Sequence, residues 1–335
     1  KNKKNHIIAA NEGSAISLGI GYYLSTDKIP CIYMQNSGLG NAINPLMSVA
    51  HSKVYSIPML LLIGWRGSPN VKDEPQHKVK GEITRELLKL MDIKYCLLRN
   101  KNDLKKLNKI IKISKRNKKP VACLIEKNIL LNQQTIERKK TDRRNLKREE
   151  VIKNLLQNIK NKTNIISTVG FTSRELMQIR LIKNYKKGND FYMVGGMGHS
   201  TMVALGTSLF TKNQTICLDG DGSILMHLGS LNAAGLYAKK NFKHILLNNN
   251  SHESVGGQLT NADTINFKNL TKSLNYKKFF IIKNKKELNK KMKDFIRSSG
   301  PSFLEIKIKN ESMSNLIRPK SGSLKKIVKN FMIKV

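Results

Sequence analysis

The chain has 335 residues, enough for two domains with separate cores. Its 61 Lys and Arg against 23 Asp and Glu give a formal charge of +38, which raises nucleic acid or an anionic surface as a partner. Most of the excess, however, is Lys mixed with Asn and Ile in polar stretches such as 101–119, as solvated helix faces require, and no aromatic-interleaved basic motif occurs, which argues against nucleic acid.

In chain order, apolar runs predict ten strands: IPCIYMQ (29–35), PMLLLIGW (58–65), KYCLLR (94–99), PVACLIE (120–126), NIISTVG (164–170), DFYMVGG (190–196), QTICLDG (214–220), HILLNNN (244–250), KFFIIK (278–283) and SFLEIKI (302–308). Stretches of helical period separate them, the alternation of parallel α/β construction, and the near-continuous apolar strands suit sheets covered on both faces. A polar, charged stretch divides the chain into a domain over 1–127, a linker with a surface helix over 128–160, and a domain over 161–335. The two halves end alike, 101–126 matching 284–307 helix for helix and strand for strand, as an old duplication or a shared βαβ geometry would produce.

Cys31, Cys96, Cys123 and Cys217 lie far apart in short apolar runs and read as reduced core residues. No apolar run reaches membrane-span length and no signal-peptide pattern opens the chain, so a soluble, cytoplasmic protein is expected. The chain begins at Lys1 and runs into a helical pattern almost at once, from which a missing N-terminal segment is expected.

The informative stretch is CLDGDGSILM, 217–226. A strand ends at Leu218, Gly220 and Gly222 permit a tight turn, and SILMHLGSLNAAGLYA continues with helical period, which places the turn at the carboxyl edge of a parallel sheet. The next strand delivers Asn248, Asn249 and Asn250 to that edge. A carboxylate beside a carboxamide offers hard oxygen ligands to Mg²⁺, and glycines let backbone approach phosphates, so a magnesium diphosphate site is expected. Asp219 reads as a structural turn residue. A second glycine element, MVGGMGHS, could present backbone N–H groups to a phosphate or serve only close packing.

GDG followed by NN resembles the signature of thiamine-diphosphate enzymes. The resemblance implies two doubly wound parallel-sheet α/β domains, one binding the pyrimidine and one the diphosphate, with no middle domain. It makes Asp221, Asn249 and the Ser251 carbonyl the Mg²⁺ ligands, with Asn248 in place of Asn249 if the register slips by one. Gly196, Met197, Gly198, His199, Gly220, Gly222 and Ser223 become contacts to thiamine diphosphate, Met197 as the wedge that bends it.

AANEGSAISLGIGYYLS, 9–25, resembles the family's Asn-Glu segment before a helix. Alone, Glu12 is a helix-entry charge; with the cofactor signature present, the resemblance makes it the carboxylate that activates the aminopyrimidine. It further implies a homo-oligomer with active sites between subunits. YMQNSGLGNAINPLMS, YSIPMLLLIGWRGSPNVKDEPQHKVKG and HILLNNNSHESVGGQLT resemble the short two-domain decarboxylases of 3-substituted pyruvates. The implied reaction is decarboxylation of 3-phosphonopyruvate in phosphonate biosynthesis, with 3-sulfopyruvate as the alternative small-molecule 2-oxo acid and a non-catalytic basic scaffold as the second class. Arg66 is the candidate for the phosphonate, with Lys72 second; Asn36 or Ser37 is expected to touch substrate or pyrimidine. His77, or else His252, is the candidate for proton transfer.

Overall fold

A computed structural model describes residues 6–69, 71–130, 145–318 and 321–334. Contacts divide the chain into two compact units, Lys1–Glu137 and Arg138–Val335.

The first unit runs α1 (Glu12–Thr26), β1 (Cys31–Gln35), α2 (Leu39–Pro45, prolonged by a π-helical turn over Leu46–Ala50), β2 (Leu60–Gly64), α3 (Pro75–Leu90), β3 (Lys94–Leu98), α4 (Leu104–Asn117) and β4 (Val121–Ile125). The strands form one parallel sheet in the order β1-β2-β4-β3. Every residue of β4 is buried, because a central parallel strand is covered on both faces. At the edge, β1 alternates exposed and buried residues, so Cys31 and Tyr33 face outward. The reading of all four cysteines as core is therefore corrected for Cys31, while all four are free thiols.

The second unit runs α5 (Arg148–Asn158), β5 (Asn164–Ser167), α6 (Phe171–Lys183), β6 (Asn189–Tyr192), α7 (Ser200–Leu209), β7 (Thr215–Gly220), α8 (Asp221–Met226), α9 (Gly229–Tyr237), β8 (Phe242–Asn248), α10 (Phe267–Ser273), β9 (Lys278–Ile282), α11 (Lys285–Arg297), β10 (Ser302–Lys307) and α12 (Ser321–Lys334). Its parallel sheet has the order β6-β5-β7-β8-β10-β9. The last four strands, β7-β8-β10-β9, repeat the order of the first unit's sheet, which extends the likeness of the two chain halves to topology. Alternate strand residues feed two cores: Ile165, Ile216, Leu218, Ile245, Leu247 and Leu304 pack on one side, Ile166, Cys217, Leu246 and Phe303 on the other.

All ten strands lie where the apolar runs put them. Two helical expectations change. The helix expected after the GDG turn is two helices, α8 and α9, separated at His227, where the backbone leaves helical geometry. The helix expected on the linker's surface is a core element: α5 buries Val151, Ile152, Leu155 and Leu156 in the second unit, because its apolar residues fall at helical spacing despite the surrounding charge. Residues 131–144 of the expected linker lie outside the described residues. Among those described, no helix is long and apolar enough to cross a membrane.

Candidate active site

In the second unit the GDG turn joins β7 to α8, so the Asp221 carboxylate sits at the first position of a helix, where unpaired backbone N–H groups favour negative charge. Gly222 has no room for a side chain: a Cβ would lie 2.5 Å from His252 Nδ1 and 3.1 Å from Met197 Cε. Gly196 and Gly198 hold positive φ, +68° and +92°, and a Cβ on Gly198 would lie 2.4 Å from His227 Cδ2. The Ser223 hydroxyl accepts from Gly198 N–H at 3.1 Å and from Thr168 Oγ1 at 3.0 Å. The structure thus gathers 196–199, 220–223 and the end of β5 at one edge of the sheet. The rings of His199 and His227 pack against each other there, tilted by 30° with centroids 4.6 Å apart.

Asp221 is 2% exposed and accepts a hydrogen bond from Thr260 Oγ1, which lies 3.4 Å from Asn250 Oδ1. The three asparagines divide their work. Asn248 donates to Glu305 at 2.8 Å and ties β8 to β10, and its Oδ1 accepts from Asn250 N–H at 3.1 Å. Asn249 donates through Nδ2 to Glu253 at 3.0 Å and Asn310 at 3.3 Å, while its Oδ1 accepts from Ser251 N–H at 3.1 Å. Asn250 takes the left-handed backbone, φ 59°, that turns the chain. The antiparallel bridge between Ser251 and Leu259 is made by the N–H of Thr260 to Asn250 and the N–H of His252 to Gln258, so neither bond uses the Ser251 carbonyl. A buried carboxylate, an amide oxygen and a backbone carbonyl are all hard oxygen donors, the kind that Mg²⁺ takes.

Asp219 is more than a turn residue. It is fully buried, accepts from Gly220 N–H at 2.9 Å and Thr201 Oγ1 at 3.3 Å, and lies 3.7 Å from His244 Nε2. Burial alone would raise its carboxyl; His244, Ser223 and the Gly220 N–H outweigh that and hold it below the usual carboxylate range. With Cys217 it forms a sealed cluster under the turn, a pin for the strand end.

In the first unit Asn11 caps α1 by accepting from Ser14 N–H at 2.9 Å, and Glu12 opens the helix. Its carboxylate accepts from Asn41 Nδ2 at 2.8 Å and lies against the backbone of Gly38, where a Cβ would come within 2.1 Å of Glu12 Oε1. Gly38→Ala is therefore expected to displace that carboxylate and lower turnover by about a hundredfold, the scale of an ångström-sized misplacement. Steady-state kinetics beside the thermal midpoint checks this: unchanged kcat in folded Gly38→Ala protein removes the requirement.

The segment after β2 is organised by Asp73, which no motif singled out. Asp73 pairs with Arg66 through Nε, at 2.7 Å, and Nη2, accepts from the N–H of Gly67 and of Glu74, each at 2.8 Å, and meets His77 Nδ1 at 3.1 Å. Burial pushes its carboxyl up, but the hydrogen bonds from Arg66, His77 and Gly67 prevail and hold it far below the usual carboxylate range. Burial, against the pull of Asp73, lowers the pKa of His77. Gly67, at φ +65°, and Gly81 on α3 cross so closely that a Cβ on Gly81 would lie 1.7 Å from the Gly67 carbonyl.

Asn36, expected at substrate or pyrimidine, bonds within the first unit. It is 4% exposed, and its amide is spent inside the unit, donating to the Arg66 carbonyl and to Thr84 Oγ1, each at 2.9 Å, and accepting from Arg66 N–H at 3.0 Å. Ser37 is half-buried, its hydroxyl donating to Gln35. Lys72 is exposed.

Two glycine turns at strand ends, an acidic turn and a helix-entry glutamate on two α/β units define a class, and the chain belongs to the thiamine pyrophosphate enzymes: residues 1–89 match the N-terminal and 168–306 the C-terminal TPP binding domain of that family. Within it, the chain is 31% identical over 331 residues to phosphonopyruvate decarboxylase of Streptomyces viridochromogenes, covering 94% of this chain and 81% of that protein. It is 30% identical over 331 residues to phosphonopyruvate decarboxylase of Streptomyces hygroscopicus, covering 94% and 80%. Over a shorter stretch of 116 residues it is 36% identical to the sulfopyruvate decarboxylase beta subunit of Methanocaldococcus jannaschii, covering 35% and 59%.

Proposed function

We propose that the chain is a carboxy-lyase that uses thiamine diphosphate and Mg²⁺ to convert 3-phosphonopyruvate to phosphonoacetaldehyde and CO₂. The observation that carries this is the likeness to phosphonopyruvate decarboxylases along 94% of the chain, through both cofactor-binding units. When bound, the cofactor supplies the electron sink for loss of the carboxyl group from a 2-oxo acid. Asp221, Asn249 and the Ser251 carbonyl hold the cation, and the backbone at Gly196–Gly198 and Gly220–Gly222 admits the phosphates. Glu12 presents a carboxylate to the pyrimidine, oriented by Asn41 and by the bare backbone of Gly38.

Arg66 keeps its outer guanidinium edge for the phosphonate, since Asp73 takes only Nε and Nη2 and the side chain is 38% exposed. Buried His77, its pKa lowered, carries a neutral imidazole at neutral pH with Nδ1 fixed by Asp73, ready to relay a proton. His252, lowered by burial and pressed against Gly222, is the other candidate. The active form is a homo-oligomer whose sites are shared between subunits; Leu18 and Tyr22, 46% and 45% exposed on α1, support such an interface.

The 36% identity to a sulfopyruvate decarboxylase subunit favours one second reading, the sulfonate analogue. Protein with Mg²⁺ and thiamine diphosphate is assayed on 3-phosphonopyruvate and 3-sulfopyruvate side by side, following CO₂ and aldehyde. A higher kcat/KM on phosphonopyruvate is expected. The reverse order selects the second reading, and inactivity on both removes the two.

A further inference from the structure

Arg148 opens α5 and lies in the interior with its side chain 5% exposed. Its guanidinium holds two carboxylates that are far apart in sequence: Nη1 donates to Glu175 on α6 at 2.9 Å, and Nη2 to Glu253 in the loop after β8 at 2.5 Å. It also lies over the ring of Phe171, 5.8 Å from the centroid. Neither acid is on the surface, with Glu175 1% and Glu253 14% exposed. Burying this much charge costs several kcal/mol per ion unless geometry repays it.

The oxygen of Glu253 that receives Arg148, Oε2, also accepts from Asn249 Nδ2 at 3.0 Å. An ionised carboxylate can only accept, so it dictates which end of the Asn249 amide faces it. Nδ2 must turn to Glu253, and Oδ1 must turn away. The second acceptor on the same NH₂ group, Asn310 Oδ1 at 3.3 Å, reinforces that choice. An amide fixed in this sense offers oxygen, the only end that can bind a hard cation.

Resting on the cofactor reading above, we propose that Arg148 and Glu253 form a relay that orients Asn249 for divalent-cation binding, with Arg148 the positioning residue. The relay also explains why α5 is built into the second unit instead of lying on a linker: its first residue braces the loop that follows β8. Glu175 anchors the far side, accepting from Met313 N–H at 3.2 Å as well as from Arg148.

Glu253→Ala leaves Arg148 its partner Glu175 and removes only the link to Asn249; Arg148→Met removes the brace, and Arg148→Lys restores one charge without the fork. Cofactor-free protein is titrated with MgCl₂ at fixed thiamine diphosphate by calorimetry, beside thermal midpoints without ligand. Glu253→Ala and Arg148→Met are expected to raise the Mg²⁺ half-saturation concentration by about tenfold or more, as loss of an outer-shell partner does, with Arg148→Lys in between. A merely structural role would lower the ligand-free midpoint and leave Mg²⁺ half-saturation alone. Folded Glu253→Ala with wild-type Mg²⁺ half-saturation overturns the relay, whether or not Arg148→Met folds. Wild-type protein that takes up no thiamine diphosphate overturns the cofactor reading and the relay together; wild-type uptake with an unaffected variant overturns the relay alone.

Discussion

Glu12→Gln is expected to lower turnover by about two to four orders of magnitude, the range for removing a positioned proton-transfer group, while thiamine diphosphate still stabilises the protein in the presence of Mg²⁺. Glutamine keeps the length of the side chain and an oxygen for Asn41 Nδ2, and it keeps the contact with the Gly38 backbone. What it loses is the charge and the capacity to take a proton. Kinetics and thermal shift on the same sample separate the two effects. Full activity in Glu12→Gln would rule out the role, and a parallel loss of cofactor binding would make Glu12 a binding group instead.

Asp221→Ala is expected to abolish the stabilisation by thiamine diphosphate and Mg²⁺, about 2.7 kcal/mol at a cofactor concentration one hundred times the dissociation constant. The ligand-free protein should lose roughly 1 kcal/mol besides, because the half-buried Thr260 hydroxyl exchanges its bond to Asp221 for the longer one to Asn250 Oδ1 at 3.4 Å. A cofactor shift equal to that of the wild type would show that the cation is held elsewhere. Glu12 and Asp221 belong to different units, so the two inactive variants test the shared-site assembly: after unfolding and refolding as a mixture, hybrid oligomers should regain activity that neither variant has alone. No recovery would place both residues of one site on the same subunit.

The strands were legible because an apolar run bounded by polar residues is a local signal, and parallel strands buried on both faces are almost nothing else. The turn at 220–222 was legible for a similar reason, its glycines lying at a strand-to-helix junction. What escaped was long-range. Arg148 looked like one more cation in a charged stretch, and nothing near it names Glu253, 105 residues away, as its partner. Asp73 looked like loop polarity, yet its carboxylate collects Arg66, His77 and two backbone N–H groups. Asp219 reads as a structural residue because an aspartate before glycine is a common turn, but its contact with His244 on the neighbouring strand has no local signal. At Asn36 the strand-end position was legible, but its bonds to Thr84 and Arg66, contributed by later elements, were not.

The crossing of Gly67 and Gly81 bears on how substrate preference can be redesigned. Since the Gly67 carbonyl occupies the space where α3 would otherwise carry a methyl group, the segment bearing Arg66 and the helix bearing His77 are mated parts. A graft of 65–74 from a decarboxylase with another specificity should succeed only when α3 travels with it; transplanted alone, the foreign peptide would meet an ill-fitting neighbour and shift the very guanidinium it was meant to deliver.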